Sequence, residues 1–427
     1  MQNYLDVFLN DYRVGTITNL NADHNAFAFD PSFVADDNRP TLSLGFLNDE
    51  GALYEIGRPP RVRLPPFFAN LLPEGHLRHY LAQRARVNAQ RDFPLLWLLG
   101  NDLPGAVIAR HPSGTIVPGA DDDDRIAVEA ERDPNVLKFS LAGVQLKFSA
   151  VREADGGLTI PAHGRGGSWI VKLPSSTYPI VPENEYTMLT FARLVGIDVP
   201  EIGLVDAADI ADMPPEVRTD LGNALYIRRF DRDRGRRIHT EDFAQIFSQY
   251  PRDKYKNVSY ANMLGGIWRT MGEAQTAEFV RRLVFSIAIG NADMHLKNWS
   301  VVYADGKTPT LSPAYDYVST ILYLPNDKLA LSIARTKEWA DISEDLLVRF
   351  ARRAAVPPGV VLNAARDMRD RILTELRHLD DADMLPKRYI ATIDAHVRSI
   401  PLFSPRATAP GRSPEGASAD VEPVEIT

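Results

Sequence analysis

The first residues of the chain alternate between apolar and polar side chains, which is the pattern of a half-buried strand. Tyr4–Leu9 and Val14–Ile17 both show this two-residue period, and a turn-forming Asn-Asp pair separates them. The apolar spacing then becomes helical over Pro65–Arg86, and a second helix is predicted over Asp92–Leu99. These elements predict a first unit of mixed strands and helices over residues 1–110.

The next stretch, residues 111–134, contains turn-forming residues and a run of four aspartates, and we interpret it as a connection. Beyond it, residues 135–235 return to strand patterns around one amphipathic helix, Pro182–Gly196. The predicted strands are Asn135–Ser140, Lys147–Val151, Trp169–Leu173 and Ala224–Phe230. This composition indicates a small sheet lobe with a single helix.

Helical spacing dominates residues 236–402, most clearly in Gln275–Gly290 and across 341–401. Residues 403–427 are rich in Pro, Ser, Ala and Gly, and we predict a disordered tail. A sheet lobe followed by a helical lobe is typical of protein kinases. The predicted fold class is therefore α+β, a two-lobed protein-kinase-like fold with an N-terminal α/β subdomain and a mainly helical C-terminal lobe.

Composition narrows the possible functions. The 427 residues include no cysteine, which excludes disulfides, thiolate metal sites and cysteine nucleophiles, and fits a cytoplasmic protein. The net charge of -8 disfavours tight, independent binding to nucleic acid, because phosphate contacts need clustered Lys and Arg. A run of eighteen apolar residues and a secretory signal pattern are both missing, so we expect no membrane association.

The segment GNADMHLKN, 290–298, carries residues suited to phosphoryl transfer. Asp293 and Asn298 have the spacing of the catalytic Asp and the metal-binding Asn in a protein-kinase catalytic loop. Alone, they could equally be turn and capping residues. Asp316 follows a predicted strand and turn, where a kinase carries its magnesium-binding Asp. Both features in this order favour a kinase site.

Lys172 lies within a predicted strand, where burying its charge requires a partner. We predict that it contacts ATP phosphates and pairs with an acid on the following helix, with Glu185 preferred over Glu183. The alternative is an edge-strand lysine that points into solvent. His295 lacks the companions of a zinc site and is expected to order its loop or reach the nucleotide.

The loop from Ser140 to Lys147 lies between two predicted strands and contains a single glycine. It matches neither a Walker P-loop nor the kinase glycine-rich loop, so it is a weak phosphate-binding motif by itself. Backbone amides around Ala142–Val144, together with Lys147, could still bind a phosphate. The alternative is a simple hairpin turn.

Several strings in the chain are unusual outside one family. They are FFANLLPEGHLR, SLAGVQLKFS, WIVKLP, PENEYTMLTFARLVGIDVP, IRRFDR, GNADMHLKNWSV and LSPAYDYVS. With them the chain resembles, over residues 4–400, the HipA family of kinase toxins from bacterial type II toxin–antitoxin pairs. The resemblance implies ATP and Mg²⁺ as cofactors, with Asp293 as the catalytic base, Asn298 and Asp316 as magnesium ligands and Lys172 on the ATP phosphates.

The same resemblance implies a nucleotide site and a regulatory site. The implied nucleotide-binding residues are Ala142, Gly143, Val144, Gln145, Leu146, Lys147, Arg228, Arg229, Phe230, His295 and Tyr315. Ser140 matches the family's autophosphorylated serine, and about -2 of added charge there would repel ATP. The chain departs from the family at Arg228, where an acidic residue is frequent. Hinge contacts to adenine are mostly made by the backbone, so nucleotide binding is expected to survive.

Family membership would also imply partners. HipA-type kinases bind a small helix-turn-helix antitoxin, HipB-like, and through it operator DNA. Their protein substrates include aminoacyl-tRNA synthetases, whose phosphorylation causes growth arrest. Two alternatives stay open on the sequence. One is a small-molecule kinase with a similar loop, and the other is a catalytically weak co-repressor bound to a DNA-binding antitoxin.

Overall fold

The computed structural model describes most of the chain. The described residues are 3–20, 23–54, 56–57, 59–111, 147–152, 157–160, 167–175, 177–213, 222–382 and 385–404. Three of the predicted features fall on other residues. The connection from residue 112 onward, the strand and loop at 135–146 with Ser140 and Ala142–Leu146, and the tail from residue 405 all lie outside the described part.

The N-terminal unit is a four-stranded antiparallel sheet covered by short helices. Its elements are β1 (Asn3–Leu9), β2 (Tyr12–Leu20), β3 (His24–Phe29), α1 (Pro31–Ala35), α2 (Pro66–Ala69), α3 (Gly75–Arg84), α4 (Asp92–Leu99) and β4 (Val107–Arg110). The sheet order is β3-β2-β1-β4. The predicted strand pair is confirmed, and Asn10 turns the chain between β1 and β2 with a positive φ of 53°.

The single helix predicted over Pro65–Arg86 is wrong, because the chain leaves the helix after α2 and resumes with α3. Pro73 lies in the break, where its ring fixes φ and disfavours helical geometry at the residue before it. Gly75 follows with a φ of 55°. The break produces a loop, Asn70–Glu74, that faces the rest of the molecule.

The next lobe comprises β5 (Lys147–Arg152), β6 (Leu158–Thr159), β7 (Trp169–Lys172), α5 (Val181–Leu194), β8 (Ile202–Asp206) and β9 (Asn223–Arg228). Its strands form a five-stranded antiparallel sheet in the order β6-β5-β7-β9-β8. Lys172 ends β7, the central strand, and only 5% of its surface is exposed. The edge-strand alternative for this lysine is therefore wrong.

The helical lobe comprises β10 (Arg232–Asp233), β11 (Arg236–Arg237), β12 (His239–Asp242), α6 (Phe243–Ile246), α7 (Tyr260–Ala288), β13 (Ser300–Tyr303), β14 (Thr310–Leu311), α8 (Glu344–Arg353), α9 (Pro358–Glu375) and α10 (Lys387–Ser399). Strands β12, β13 and β14 form a three-stranded sheet in that order. The helix predicted over Gln275–Gly290 is the second segment of α7, which Gly272 divides with non-helical backbone angles (φ 78°, ψ -171°). Phe403 is buried against this lobe, so the predicted disordered tail begins with a packed residue.

Strand β9 separates two hydrophobic cores. Ala224 packs in the core shared with the N-terminal unit, whereas Leu225 and Ile227 pack in the core of α5 and the helical lobe. Successive strand residues point to opposite faces, so the central sheet is covered on both sides. No helix in the described ranges is both long and apolar enough to cross a membrane.

Candidate active site

The loop after α7 is held by backbone and side-chain hydrogen bonds. The Asn291 side chain accepts from the backbone N–H of Asp293 at 3.0 Å and donates to the carbonyl oxygen of Asp316 at 3.3 Å. The backbone N–H of Ala292 donates to the Thr320 hydroxyl at 2.8 Å. These bonds hold the loop that carries Asp293 against the segment that carries Asp316.

Asp293 points into the cleft between the two lobes, with 55% of its side chain exposed. The cleft walls remove enough water from the carboxylate to raise its pKa, against a hydrogen bond from Tyr255 that lowers it. His295 lies beside it, with Nε2 4.0 Å from Asp293 Oδ1. Burial, together with the nearby Lys254, lowers the pKa of His295 to about 3, so this ring is neutral.

Lys172 joins the two lobes at the back of the cleft. Its Nζ lies 2.5 Å from Glu185 Oε1 on α5 and also contacts Oδ1 of Asp316. Burial alone would lower the pKa of Lys172, but Asp316 and Glu185 outweigh it and raise the pKa. Glu183, the alternative partner, instead accepts a hydrogen bond from Asn223 at 2.9 Å.

Asp316 occupies the turn that follows the β13–β14 hairpin. Its φ is 57°, a left-handed conformation that is uncommon for residues other than glycine and often found at functional sites. Burial would raise its pKa, but Lys172 and Lys147 outweigh that effect and lower it to about 2. Lys147 pairs directly with Lys172 across β5 and β7, so both lysines share one face of the sheet.

The predicted hinge residues line the same cleft from β9 onward. The Arg228 side chain is half-exposed, with Nη1 3.8 Å from Glu201. The guanidinium of Arg229 donates two hydrogen bonds of 2.8 Å to Asp231. The Phe230 ring lies 5.8 Å from the Tyr315 ring, whose hydroxyl donates to the carbonyl oxygen of Lys297 at 3.0 Å. Of the predicted nucleotide-binding residues, residues 142–146 lie outside the described part, and the others lie within it.

Two family models match this chain. The HipA N-terminal domain matches residues 5–110, and the HipA-like C-terminal domain matches residues 139–376. The chain belongs to the HipA family. The protein Y4dM of Sinorhizobium fredii, named provisionally as a kinase, is 48% identical over 406 residues, which are 93% of this chain and 97% of that protein.

More distant HipA proteins are similar to the chain in sequence or in fold. The serine/threonine-protein kinase toxin HipA of Shewanella oneidensis is 26% identical over 349 residues, covering 67% of this chain and 74% of that protein. HipA solved in complex with HipB and operator DNA, from the same species, superposes with a TM-score of 0.69 at 21% identity, covering 93% of this chain and 97% of that one. The predicted family and the predicted two-lobed α+β fold are confirmed.

In this HipA-family protein, the donor atoms at Asn298 and Asp316 fit a magnesium ion. Mg²⁺ prefers oxygen ligands and commonly takes one or two from the protein, with water and phosphate oxygens completing its shell. The Asn298 Nδ2 donates to the Asp293 carbonyl oxygen at 2.9 Å, so Oδ1 is the side-chain atom that could face a metal ion. In the described ranges, no cluster of three or more His, Asp or Glu side chains could bind a metal alone.

Sequence reasoning missed residues from other segments of the chain that line the cleft around the loop 290–298. Tyr255 and Lys254 follow the short helical turn Pro251–Asp253, and Asn70 and Glu74 come from the N-terminal unit. All four line the cleft. Asn70 and Glu74 lie in the string FFANLLPEGHLR, which is one of the strings that resemble the family. That resemblance was a signal for these two residues, although they lie far from Asp293 in sequence.

Proposed function

We propose that this protein is an ATP- and Mg²⁺-dependent serine/threonine protein kinase and the toxin of a toxin–antitoxin pair. One observation carries the proposal. Asp293, Asn298, Asp316 and the Lys172–Glu185 pair all line a single cleft of about 1550 Å³. Phosphoryl transfer depends on positioning and on compensation of negative charge, and this set of side chains can supply both.

Each residue has a role in this proposal. Asp293 accepts the proton of the attacking hydroxyl, and Lys172 holds the ATP phosphates while Glu185 orients its ammonium group. Asn298 and Asp316 hold Mg²⁺, which offsets the charge of the phosphates. The backbone of residues 228–230 and the rings of Phe230 and Tyr315 form the adenine side of the site, and Lys147 faces the phosphates beside Lys172.

We propose a protein substrate, and the volume of the cleft is compatible with one. Pockets for small ligands commonly measure about 300–1,000 Å³, so this cleft has room for a nucleotide and a segment of polypeptide. We propose an aminoacyl-tRNA synthetase as the substrate, with growth arrest as the consequence, and Ser140 as the site of autophosphorylation. A HipB-like antitoxin is the proposed partner. It would supply the contacts to operator DNA that a chain of net charge -8 is poorly suited to make.

Phosphate mapping tests this function. The purified protein and its Asp293→Ala variant are dephosphorylated, incubated with Mg-ATP and analysed by mass spectrometry, alone and with a panel of aminoacyl-tRNA synthetases. We expect phosphate on Ser140 and on one synthetase with the parent only. ADP release stimulated by a small hydroxyl compound, without any phosphoprotein, would favour a small-molecule kinase. Antitoxin binding without any phosphoryl transfer would favour a co-repressor.

A further inference from the structure

The loop Asn70–Glu74 of the N-terminal unit reaches the catalytic loop of the kinase lobes. Its charged residue, Glu74, is the residue before α3, a position where side chains often cap the helix. The Glu74 side chain makes no such capping bond. It points to Lys297 instead, with Oε1 3.1 Å from Nζ, and only 14% of it is exposed.

Lys297 is the residue between Leu296 and the proposed magnesium ligand Asn298, and its side chain is only 8% exposed. Its Nζ donates to the carbonyl oxygen of Asn70 at 3.0 Å and to Asn70 Oδ1 at 3.1 Å. Asp242 lies 3.6 Å away. Among the described residues, the N-terminal unit therefore supplies three of these four oxygens around the ammonium group.

Glu74 also contacts the segment that contains Tyr255. Its Oε2 lies 3.5 Å from Lys254 Nζ, and the carbonyl oxygen of Lys254 accepts from the Leu296 backbone N–H at 3.3 Å. The next residue, Tyr255, donates its hydroxyl to Asp293. One carboxylate thus connects the catalytic loop to the segment that contacts the proposed base.

The neighbouring lysines favour the ionised form of the Glu74 carboxylate. Burial would raise the pKa of Glu74, but Lys297 and Lys254 outweigh it and lower the pKa. A buried ion pair contributes little net stability compared with an apolar contact, because both charges lose their water. A buried pair beside a reacting group is therefore better explained by the geometry it fixes.

We propose that Glu74 is a positioning residue for phosphoryl transfer, through which the N-terminal unit holds Lys297 and Lys254 and so fixes Asp293 and Asn298. The inference rests on the proposed kinase function for its effect on turnover. The N-terminal unit is then part of the catalytic apparatus of the full chain, besides any role in binding a partner.

The test compares Glu74→Gln and Glu74→Asp with Glu50→Gln, a change at an exposed glutamate of the same unit. Steady-state kinetics with Mg-ATP are measured together with hydrogen exchange of residues 290–298 without nucleotide. We expect Glu74→Gln to lower kcat about 10- to 100-fold with KM for ATP unchanged, because small displacements of reacting groups have effects of this size. Exchange of the loop should become faster, Glu74→Asp should recover part of kcat, and Glu50→Gln should match the parent.

Several results would overturn the inference. One is unchanged kcat in Glu74→Gln, and another is a loss of activity that only follows the unfolded fraction at the assay temperature. If the parent shows no phosphoryl transfer at all, the proposed function fails. Hydrogen exchange then decides the inference alone, and unchanged exchange of residues 290–298 in Glu74→Gln would reject it.

Discussion

The hydroxyl of Tyr255 donates a hydrogen bond to Oδ1 of Asp293. The same ring packs edge-on against His295, with ring centroids 4.9 Å apart. A donor on a carboxylate favours its ionised form, so Tyr255 lowers the pKa of Asp293 against the larger effect of burial, which raises it. Tyr255 therefore helps to keep the proposed base ready to accept a proton.

The variant Tyr255→Phe should shift the acidic limb of the pH–rate profile to higher pH. The ring and its packing on His295 remain, but Asp293 loses the donor that lowers its pKa, and a base works only when it is ionised. The measurement is kcat/KM for phosphoryl transfer as a function of pH in the parent and the variant.

Tyr4→Phe, at an exposed tyrosine on β1, is the matched control and should leave the limb in place. An acidic limb that stays fixed or moves to lower pH in Tyr255→Phe would contradict the assignment of Asp293 as the titrating base.

Local patterns predicted the fold best where one segment determines its own structure. The helix Asp92–Leu99 was predicted with its observed bounds, since a buried apolar run ends at Gly100, where a side chain would meet the Ala109 carbonyl oxygen at 2.3 Å. The long helix Tyr260–Ala288 was predicted only in its second half. Gly272 has non-helical backbone angles (φ 78°, ψ -171°) and divides this span into two helical segments, of which the sequence pattern predicted only the second.

Spacing along the chain could indicate Asp293, Asn298 and Asp316 because they lie on one loop and the hairpin after it. It could not indicate Glu74 as a partner of Lys297, because the contact depends on how two units pack. The choice between Glu183 and Glu185 likewise needed the orientation of helix Val181–Leu194, which places Glu185 on Lys172 and Glu183 on Asn223.

The variant Lys172→Met should lose at least about 100-fold in kcat, the usual size of effect for one electrostatic group in an active site. It removes the proposed phosphate contact and leaves Glu185 and Asp316 close together without their shared cation. The measurement is ADP release under saturating Mg-ATP. Lys307→Met, at an exposed lysine of the β13–β14 turn, should behave like the parent. An equal loss of kcat in both variants, or an unchanged kcat in both, would count against the role of Lys172.

Asp231→Asn should destabilise the protein by about 3 kcal/mol or more, since breaking a buried ion pair leaves an uncompensated charge. Asp231 is buried and accepts from Arg229, from Arg232 and from the backbone N–H of Gly105 in the N-terminal unit. The neighbouring Asp233 pairs with Arg236, whose side chain is 80% exposed, so Asp233→Asn should cost less than about 1 kcal/mol. Chemical denaturation of both variants checks the difference, and equal losses would refute it.

Glu241 should make stability depend on pH. It is buried between the units, where Oε2 accepts from the Ser43 hydroxyl at 2.5 Å and Oε1 accepts from the Leu44 backbone N–H at 2.9 Å and from the Tyr303 hydroxyl. Burial raises its pKa to about 7 from an ordinary 4.5, although the hydrogen bonds from Ser43 and Tyr303 act against this shift. The folded protein therefore holds a proton that the unfolded chain releases above pH 4.5.

The bound proton of Glu241 therefore stabilises the folded protein fully below about pH 4.5. This stabilisation is lost as the pH rises to about 7, which lowers the free energy of unfolding by about 3 kcal/mol. Glu241→Gln cannot ionise, so its free energy of unfolding should fall less than that of the parent between pH 5 and pH 7. The comparison uses the change in the free energy of unfolding with pH, so any pH-independent loss of stability from altered hydrogen bonds cancels. The buried His239, with a pKa near 4, is present in both proteins and cancels. Identical slopes in denaturation series at pH 5, 6, 7 and 8 would show that Glu241 does not titrate in this range.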